Sequence, residues 1–154
     1  MATVYSVQKT KWDQNSPTTN IKPNENHGRV RMAYALYELS GSVVGTVVEM
    51  FNLPNGARIL SGELTNDALA SSTTISVGHT AYTDSSGTAV VLDVDEFLAA
   101  TDTSGIATTD VAATSALGKN TVVNADQTGI PITCVVAGAT ATGTIELVMY
   151  YVVD

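Results

Sequence analysis

The sequence has few of the residues from which small proteins build chemical sites. Among its 154 residues are two histidines, one cysteine and one tryptophan, and only 14% of the residues are charged. A single cysteine, Cys134, excludes an intrachain disulfide, and its apolar surroundings predict a buried side chain. The histidines, His27 and His79, are too few for a zinc site with three or four His/Cys ligands. We therefore expect no metal, no cofactor and a fold held by its apolar core alone.

The sequence also lacks the segments that direct a chain to a membrane. Its longest apolar run, residues 147–153, is far shorter than the roughly 20 residues that span a bilayer. The N-terminus runs directly into polar residues, without the charged and then apolar pattern of a secretory signal. These features predict a protein that is made in the cytoplasm of its host and has no membrane partner.

The patterns that catalysis requires are missing as well. There is no Gly-x-Ser-x-Gly elbow and no glycine-rich phosphate loop with its lysine. Glu38, Glu49, Glu63 and Glu146 fall singly in separate predicted strands, which indicates solvated faces and not an acid/base pair. We expect that the protein is not an enzyme.

The charge is divided unevenly along the chain. Residues 1–31 hold five of the seven basic residues and two of the fifteen acidic ones, so this part carries about +3 and the remainder about −11. Residues 1–27 are polar and contain Pro17 and Pro23, which predicts an extended arm. Residues 28–154 form the domain. Because that domain is acidic, nucleic acid is not an expected partner.

The arm and the start of the domain carry the candidate partner-binding residues. Aromatic and basic side chains are common interface anchors, and the only tryptophan lies in the arm. The alternative is that the arm folds back and Trp12 packs on its own domain. The candidates are Tyr5, Lys9, Lys11, Trp12, Lys22, Arg29 and Arg31.

The domain reads as short strands separated by glycine, asparagine and aspartate turns. It is rich in Val, Ile and Thr, with 22 threonines in the chain. The predicted strands are 28–39, 43–53, 57–65, 73–79, 89–92, 121–125, 130–136 and 142–153. Alternation in the first predicts a half-buried strand with Val30, Met32, Tyr34 and Leu36 on one face. The second is apolar on both faces, which predicts a central strand. Eight strands favour an all-β, antiparallel β-sandwich of jelly-roll type.

Two short helices are predicted within this β-domain. Asp93 with Glu96 three residues later resembles a capping box, which predicts a helix over 93–100. Residues 110–117 followed by Gly118 predict a second helix with a glycine stop. Asp93, Asp95 and Glu96 are also possible calcium ligands, but capping accounts for all three and the spacing lacks a calcium loop's glycine.

Four segments resemble a known group of proteins: GRVR at 28–31, VEM at 48–50, LPNGARIL at 53–60 and TTISVG at 73–78. They are similar to small virion proteins of tailed bacteriophages, especially of marine and cyanobacterial phages. The resemblance covers residues 28–80 well and the rest loosely. It implies a capsid decoration or cement protein, commonly a β-rich trimer on the outer capsid, or a part of a head fibre.

Two functions follow as hypotheses. The first is a decoration or cement subunit on the virion surface, which trimerises and stabilises the shell by binding the major capsid protein through its arm and domain face. The alternative is a head-fibre or tail-associated carbohydrate-binding module for attachment to the host surface. Sugar sites usually present several exposed aromatics, whereas only Tyr82 adjoins a predicted loop here. The sequence therefore favours the structural function.

Overall fold

A computed structural model of the chain describes residues 6–14, 22 and 28–153, with only the backbone of 12–14. Most of the described chain is β-structure. The strands are β1 (Val30–Ser42), β2 (Val47–Leu53), β3 (Arg58–Asn66), β4 (Thr74–His79), β5 (Tyr82–Thr83), β6 (Ala89–Val90), β7 (Asp93–Asp102), β8 (Ala107–Val111), β9 (Ile130–Ala137) and β10 (Ala141–Val152). The helices are α1 (Val7–Gln14) and a single 3₁₀ turn at Ser115–Leu117.

Eight strands form two antiparallel four-stranded sheets. The first sheet has the order β1-β10-β3-β8 and the second the order β2-β9-β4-β7, while β5 and β6 form a small separate hairpin. Successive strands cross from one sheet to the other, except for β4 and β7, which pair within the second. This arrangement is a jelly roll, so the predicted fold class is confirmed.

The core fills the space between the two sheets. Along β10 the buried side chains alternate with half-buried ones, as the two-residue period of a strand requires. The largest fully buried side chains are Phe97, Leu39, Leu53, Ile59, Leu64, Ile75, Ile132, Ile145, Leu147 and Met149. Cys134 lies among them, as predicted. Each such side chain contributes about 1.5–3 kcal/mol by leaving water.

The predicted helix over 93–100 is wrong, because this segment is β7. Asp93 caps no helix, and its carboxylate instead accepts a hydrogen bond from the backbone N–H of Asp95 at 3.2 Å. Strand β7 pairs with β4, with Val77 opposite Leu98, and both Phe97 and Leu98 are buried. Burial of these side chains in the sheet overrides the local capping signal.

The second predicted helix is mostly wrong too. Asp110 and Val111 belong to β8, and only the 3₁₀ turn at Ser115–Leu117 is helical. The glycine stop is correct: Gly118 has φ +76°, and an added Cβ would lie 2.6 Å from the Phe97 ring. Glycine is therefore required both by the left-handed backbone and by the close approach of Phe97.

Two strand predictions also fail. Residues 121–125 make one isolated bridge, Arg58 to Val122, and hydrogen-bond the start of β3 without forming a named strand. Residues 43–46 are a turn, and β2 lies at the edge of its sheet and not at its centre. The register of β2 against β9 shifts between Glu49 and Phe51. Such an irregularity changes which side chains face the core further along the strand, and this accounts for the apolar residues on both faces of β2.

Part of the predicted extended arm is helical. Helix α1 begins after Ser6, whose hydroxyl oxygen accepts a hydrogen bond from the Lys9 N–H at 3.1 Å. The Thr10 N–H donates to the Ser6 carbonyl at 3.0 Å, which closes the first turn. Among the described residues no helix is long and apolar enough to cross a bilayer.

Candidate docking surface

The outer face of the first sheet carries a line of exposed apolar side chains along β1. Four alternate residues point away from the core, which is the reverse of what a half-buried strand with an apolar face ordinarily does. We call this set the β1 stripe: Val30 (62% exposed), Met32 (60%), Tyr34 (51%) and Leu36 (52%). It forms an apolar patch on the order of 400 Å², a size at which patches on soluble proteins are often interaction sites.

The position of β1 in its sheet explains why this face is open. β1 stands at the end of the order β1-β10-β3-β8, and its inward residues near the stripe are the small Ala33 and Ala35. Ala33 packs against the core, so small side chains are enough to fill the space beneath the inner face of β1 at this point. Among the described strands, β1 pairs on one side with β10 and has no partner on the other. Such a long apolar edge is a template for association unless another chain covers it.

The apolar character continues onto β10 and then gives way to acid. Residues directly opposite each other share a face, and one row runs from Tyr34 through Val148 and Glu63 to Asp110. The next row places Glu146 opposite Leu36. The outer face is therefore apolar at the β1 edge and acidic towards β8.

Two carboxylates border the stripe directly. Partial loss of contact with water raises the pKa of Tyr34, and the charge of Glu146 and a hydrogen bond to it raise this pKa further. At the far end of the strand, the Thr144 hydroxyl donates to Glu38 Oε2 at 2.7 Å. A ligand for this face should therefore combine apolar side chains with positive charge.

The predicted partner-binding residues lie before or at the start of β1. Arg29 and Arg31 are exposed beside Val30, and Lys22 is exposed in the arm. Lys9 and Lys11 belong to α1, where Lys9 is exposed and Lys11 half-buried. Both arginines are therefore next to the β1 stripe in the chain, but the alternation of the strand places Arg31 on the opposite face from the stripe. Trp12 has a helical backbone in α1, and its side chain, like the whole of Tyr5, lies outside the described residues.

The sequence alone does not identify the stripe as a site. The signal was present in the alternation of residues 30–36, but alternation defines two faces without telling which one faces water. Helix α1 presents a further exposed apolar residue, Val7, at 66% exposure.

More exposed apolar side chains lie at one end of the sandwich. Val43 and Val44 form the turn between β1 and β2, and Ile106 lies in the turn between β7 and β8. In a jelly roll these turns are at the same end. They lie beyond the Leu39 end of β1 and are separate from the stripe.

The opposite end holds a polar cleft of about 590 Å³, lined by the β5–β6 turn and by residues before β9. Its two carboxylates are engaged by their own turns. Asp84 accepts hydrogen bonds from Ser86 and from the Thr88 N–H, and hydrogen bonds of this kind lower its pKa. The pKa of Asp126 is lowered in the same way by its bonds to Thr128.

The residues considered for metal binding have other environments. His79 is buried at the end of β4, and one ring nitrogen lies 2.8 Å from the Thr80 carbonyl oxygen. His79 is thus a strand-end residue whose ring makes a local hydrogen bond. Within the described part of the chain, no three His, Cys, Asp or Glu side chains converge as metal ligands. His27 lies outside that part.

The fold and surface define a jelly-roll domain with an open apolar edge strand and a preceding basic arm. The family model described as the Porin subfamily matches residues 1–152, and the chain belongs to this family. Apolar side chains fill the space between the two sheets of the described domain, so its interior is a packed core and not a channel. None of the curated proteins matches the sequence at a significant level.

Solved structures with the same fold come from phage capsids. A chain of the cyanophage Pam1 capsid asymmetric unit is 16% identical, with a TM-score of 0.61 over 87% of this chain and 92% of that one. A chain of the capsid of Ralstonia phage GP4 is 21% identical, with a TM-score of 0.58 over 82% and 86%. The acidic stable capsid of Helicobacter pylori bacteriophage KHP30 contains a third, 19% identical, with a TM-score of 0.55 over 80% and 87%. The fold therefore resembles that of phage virion proteins.

Proposed function

We propose that this protein is a structural subunit of a phage virion. More specifically, it is a capsid decoration or cement subunit that binds the outer shell through its arm and a domain face. The observation that carries this proposal is the shared jelly roll in three phage capsid structures, each matched over at least 80% of this chain. It agrees with the resemblance of residues 28–80 to small phage virion proteins.

The surface of the domain supports an assembled state. The β1 stripe and the open edge of β1 are features that soluble monomers usually avoid, because exposed edges promote association. We propose that the subunit is a homotrimer, since closed symmetry covers the same patch on every copy. The major capsid protein is the proposed partner beneath it.

The arm is proposed as the main attachment of the subunit within the virion, either to the shell or to a neighbouring copy that is itself bound to the shell. Its lysines can each contribute at most about 1 kcal/mol through exposed ion pairs, so Trp12 and the backbone should carry more of the binding. Residues 1–27 are poor in apolar side chains, and only a partner can supply the surface that would order them fully. Helix α1 (Val7–Gln14) is the element of the arm that the structure describes.

The alternative is a head-fibre or tail-associated module that binds carbohydrate on the host. Its support is the polar cleft of about 590 Å³ between the β5–β6 turn and the residues before β9. Half-buried Tyr82 lies on β5 at this end. However, the cleft carboxylates Asp84 and Asp126 are engaged by their own turns, which favours the structural role.

The test is a deletion of residues 2–27. The truncated and full-length proteins are mixed with shells that were prepared without this protein, and the bound fraction is measured by co-sedimentation. We expect at least a tenfold loss of binding, as for the removal of a central anchor, with the same unfolding midpoint. Equal binding by both proteins would transfer the attachment from the arm to the domain face.

A second measurement tests the virion role itself. Electron cryomicroscopy of intact virions should show jelly-roll density on the outer capsid. Density at the tail would favour the alternative, and absence of the protein from purified virions would contradict both.

A further inference from the structure

The β1 stripe has the chemistry of a docking site, and the arm has the chemistry of its occupant. We infer that the arm segment around α1 of one copy docks on the β1 stripe of a neighbouring copy of this chain. The contact joins copies to one another and rests on the proposed virion role only for the expectation that copies lie side by side. It can be tested in the free protein.

The first argument is that the stripe and an apolar side chain of α1 are left open in the same chain. In the single copy, Val7 of α1 is 66% exposed and each of the four stripe residues is at least half exposed. Within a single copy, therefore, α1 does not cover the stripe. A neighbouring copy supplies the missing surface to both elements.

The second argument is charge. Carboxylates border the stripe on its own face, with Glu146 opposite Leu36 and Glu63 two strands from Tyr34. A second stripe packed face to face would bring these acids against their own copies, which is unfavourable. The arm, residues 1–27, has three basic residues against two acidic ones, Asp13 and Glu25, so its net charge is about +1 (3 − 2) and it does not repel these carboxylates as a second stripe would.

The third argument is reach. Residues 15–29 connect α1 to β1, and fifteen extended residues span at most about 50 Å. A domain of this size is about 30–35 Å across. The connection is therefore long enough to place α1 on an adjacent copy. The stripe itself, from Val30 to Leu36, is only about 20 Å long.

The area of the stripe also fits an arm better than a second domain. A stable interface between two globular partners buries about 800 Å² on each side, and the stripe offers on the order of 400 Å². In an exchange each copy takes part in two contacts, once with its stripe and once with its arm. Such a contact joins different surfaces of the two copies, and a rotation of 120° between neighbours would close it into the trimer proposed above.

Disulfide trapping tests the contact directly. The native Cys134 is fully buried, so it does not interfere with thiols placed on the surface. The Val7→Cys and Met32→Cys variants are prepared separately, mixed and oxidised. We expect a cross-linked dimer that contains one copy of each variant. The matched control mixes Val7→Cys with Ile106→Cys, because Ile106 is exposed at the far end of the sandwich, and little cross-link is expected there.

The double variant Val7→Cys/Met32→Cys distinguishes exchange from folding back. Cross-links between copies, which reach a closed trimer on a denaturing gel, support the inference. A monomer with an internal disulfide would show that each arm covers its own stripe and would overturn it. Cross-linking no greater than in the Ile106 control would overturn it as well.

A charge substitution provides a second readout. Leu36→Lys places a cation where the basic arm should dock, and we expect the self-association constant to weaken by about tenfold or more in sedimentation equilibrium. Ile106→Lys should leave it unchanged, and circular dichroism should show both variants folded. Unchanged association of Leu36→Lys would contradict the inference. These tests can contradict the inference while deletion of residues 2–27 still weakens shell binding. In that case the proposed contact between copies is disproved, but the proposed virion role is still supported.

Discussion

His79 Nε2 lies 2.9 Å from Glu96 Oε2, and this pair ties the end of β4 to β7. The other ring nitrogen, Nδ1, lies 2.8 Å from the carbonyl oxygen of Thr80. Both partners are acceptors when Glu96 is ionised, so the ring donates from both nitrogens as an imidazolium. Burial acts to lower the pKa of His79, but the hydrogen bonds to Glu96 and Thr80, together with the charges of Glu96 and Asp93, outweigh burial, and the net pKa is raised.

The first prediction is that stability falls as the pH rises through this raised pKa. The contribution of the pair is complete below the unfolded-state pKa of about 6.5 and is lost as the pH passes through the folded-state value. Urea unfolding midpoints measured between about pH 5.5 and about pH 9 should show this decline. In Glu96→Gln the decline should be much smaller, whereas Glu63→Gln on the exposed face should keep it. The same pH dependence in Glu96→Gln would contradict the prediction.

The second prediction concerns Gly118. Alanine there must adopt φ +76° and place its Cβ 2.6 Å from the Phe97 ring. We expect Gly118→Ala to lower the free energy of unfolding by about 2–4 kcal/mol, from backbone strain plus overpacking. Gly41 is the matched control, since it has φ +64° and nothing within 4 Å of an added Cβ. Gly41→Ala should cost only about 1–2 kcal/mol in urea unfolding, and equal losses would mean that the ring simply moves aside.

The third prediction compares two leucines on opposite sides of the same sheet. Leu147 is fully buried on β10, and Leu36 on β1 is half exposed. Leu147→Ala should lower the free energy of unfolding by about 2–5 kcal/mol. Leu36→Ala should change it by at most about 0.5 kcal/mol in the monomer, as surface substitutions do. Chemical denaturation at low protein concentration measures both, and a large loss for Leu36→Ala would show that the stripe contributes to the domain's own stability.

The fourth prediction concerns the only thiol. Burial raises the pKa of Cys134 to about 12, and its side chain is fully inaccessible. Because the thiolate is the reactive form, iodoacetamide should not modify the folded protein at neutral pH. Modification should begin in urea and follow the unfolding curve measured by circular dichroism. A Ser86→Cys variant, with its thiol on the exposed β5–β6 turn, should react at once in the native state. Rapid labelling of Cys134 without urea would show local opening of β9.

Strands with strong local signals could be predicted from the sequence. Residues 57–65, 130–136 and 142–153 correspond closely to β3, β9 and β10, because β-branched runs between turn residues specify a strand locally. The predicted total of eight strands matches the two sheets, but only because two pairs of errors compensate. Segment 121–125 is no strand and 89–92 contributes only β6 of the separate hairpin, whereas β7 and β8 belong to the sheets but were not predicted as strands.

The failures within the β-domain share a physical cause, whereas the missed helix α1 has a local one. The capping signal of Asp93 and Glu96 is local, whereas the identity of β7 depends on its pairing with β4 and on Glu96 reaching His79. Helix α1 was missed because its residues have no apolar period, and its Ser6 cap lies in a polar stretch. The stripe was recognised as a face but not as an exposed one, since its exposure follows from the edge position of β1. Sequence separation hides all such long-range relationships.

The pairing of β1 with β10 determines how the domain would bear mechanical load. Val30, where the arm joins the domain, pairs with Val152, and the ladder continues to Ser42 opposite Ala141. A pull on the arm therefore enters through the first rung of this ladder. A force applied along β1 loads all the hydrogen bonds between β1 and β10 together, in shear. A force applied across the strand breaks these hydrogen bonds one pair at a time, beginning at Val30. The direction in which the arm leaves the domain therefore sets the force that the attachment withstands.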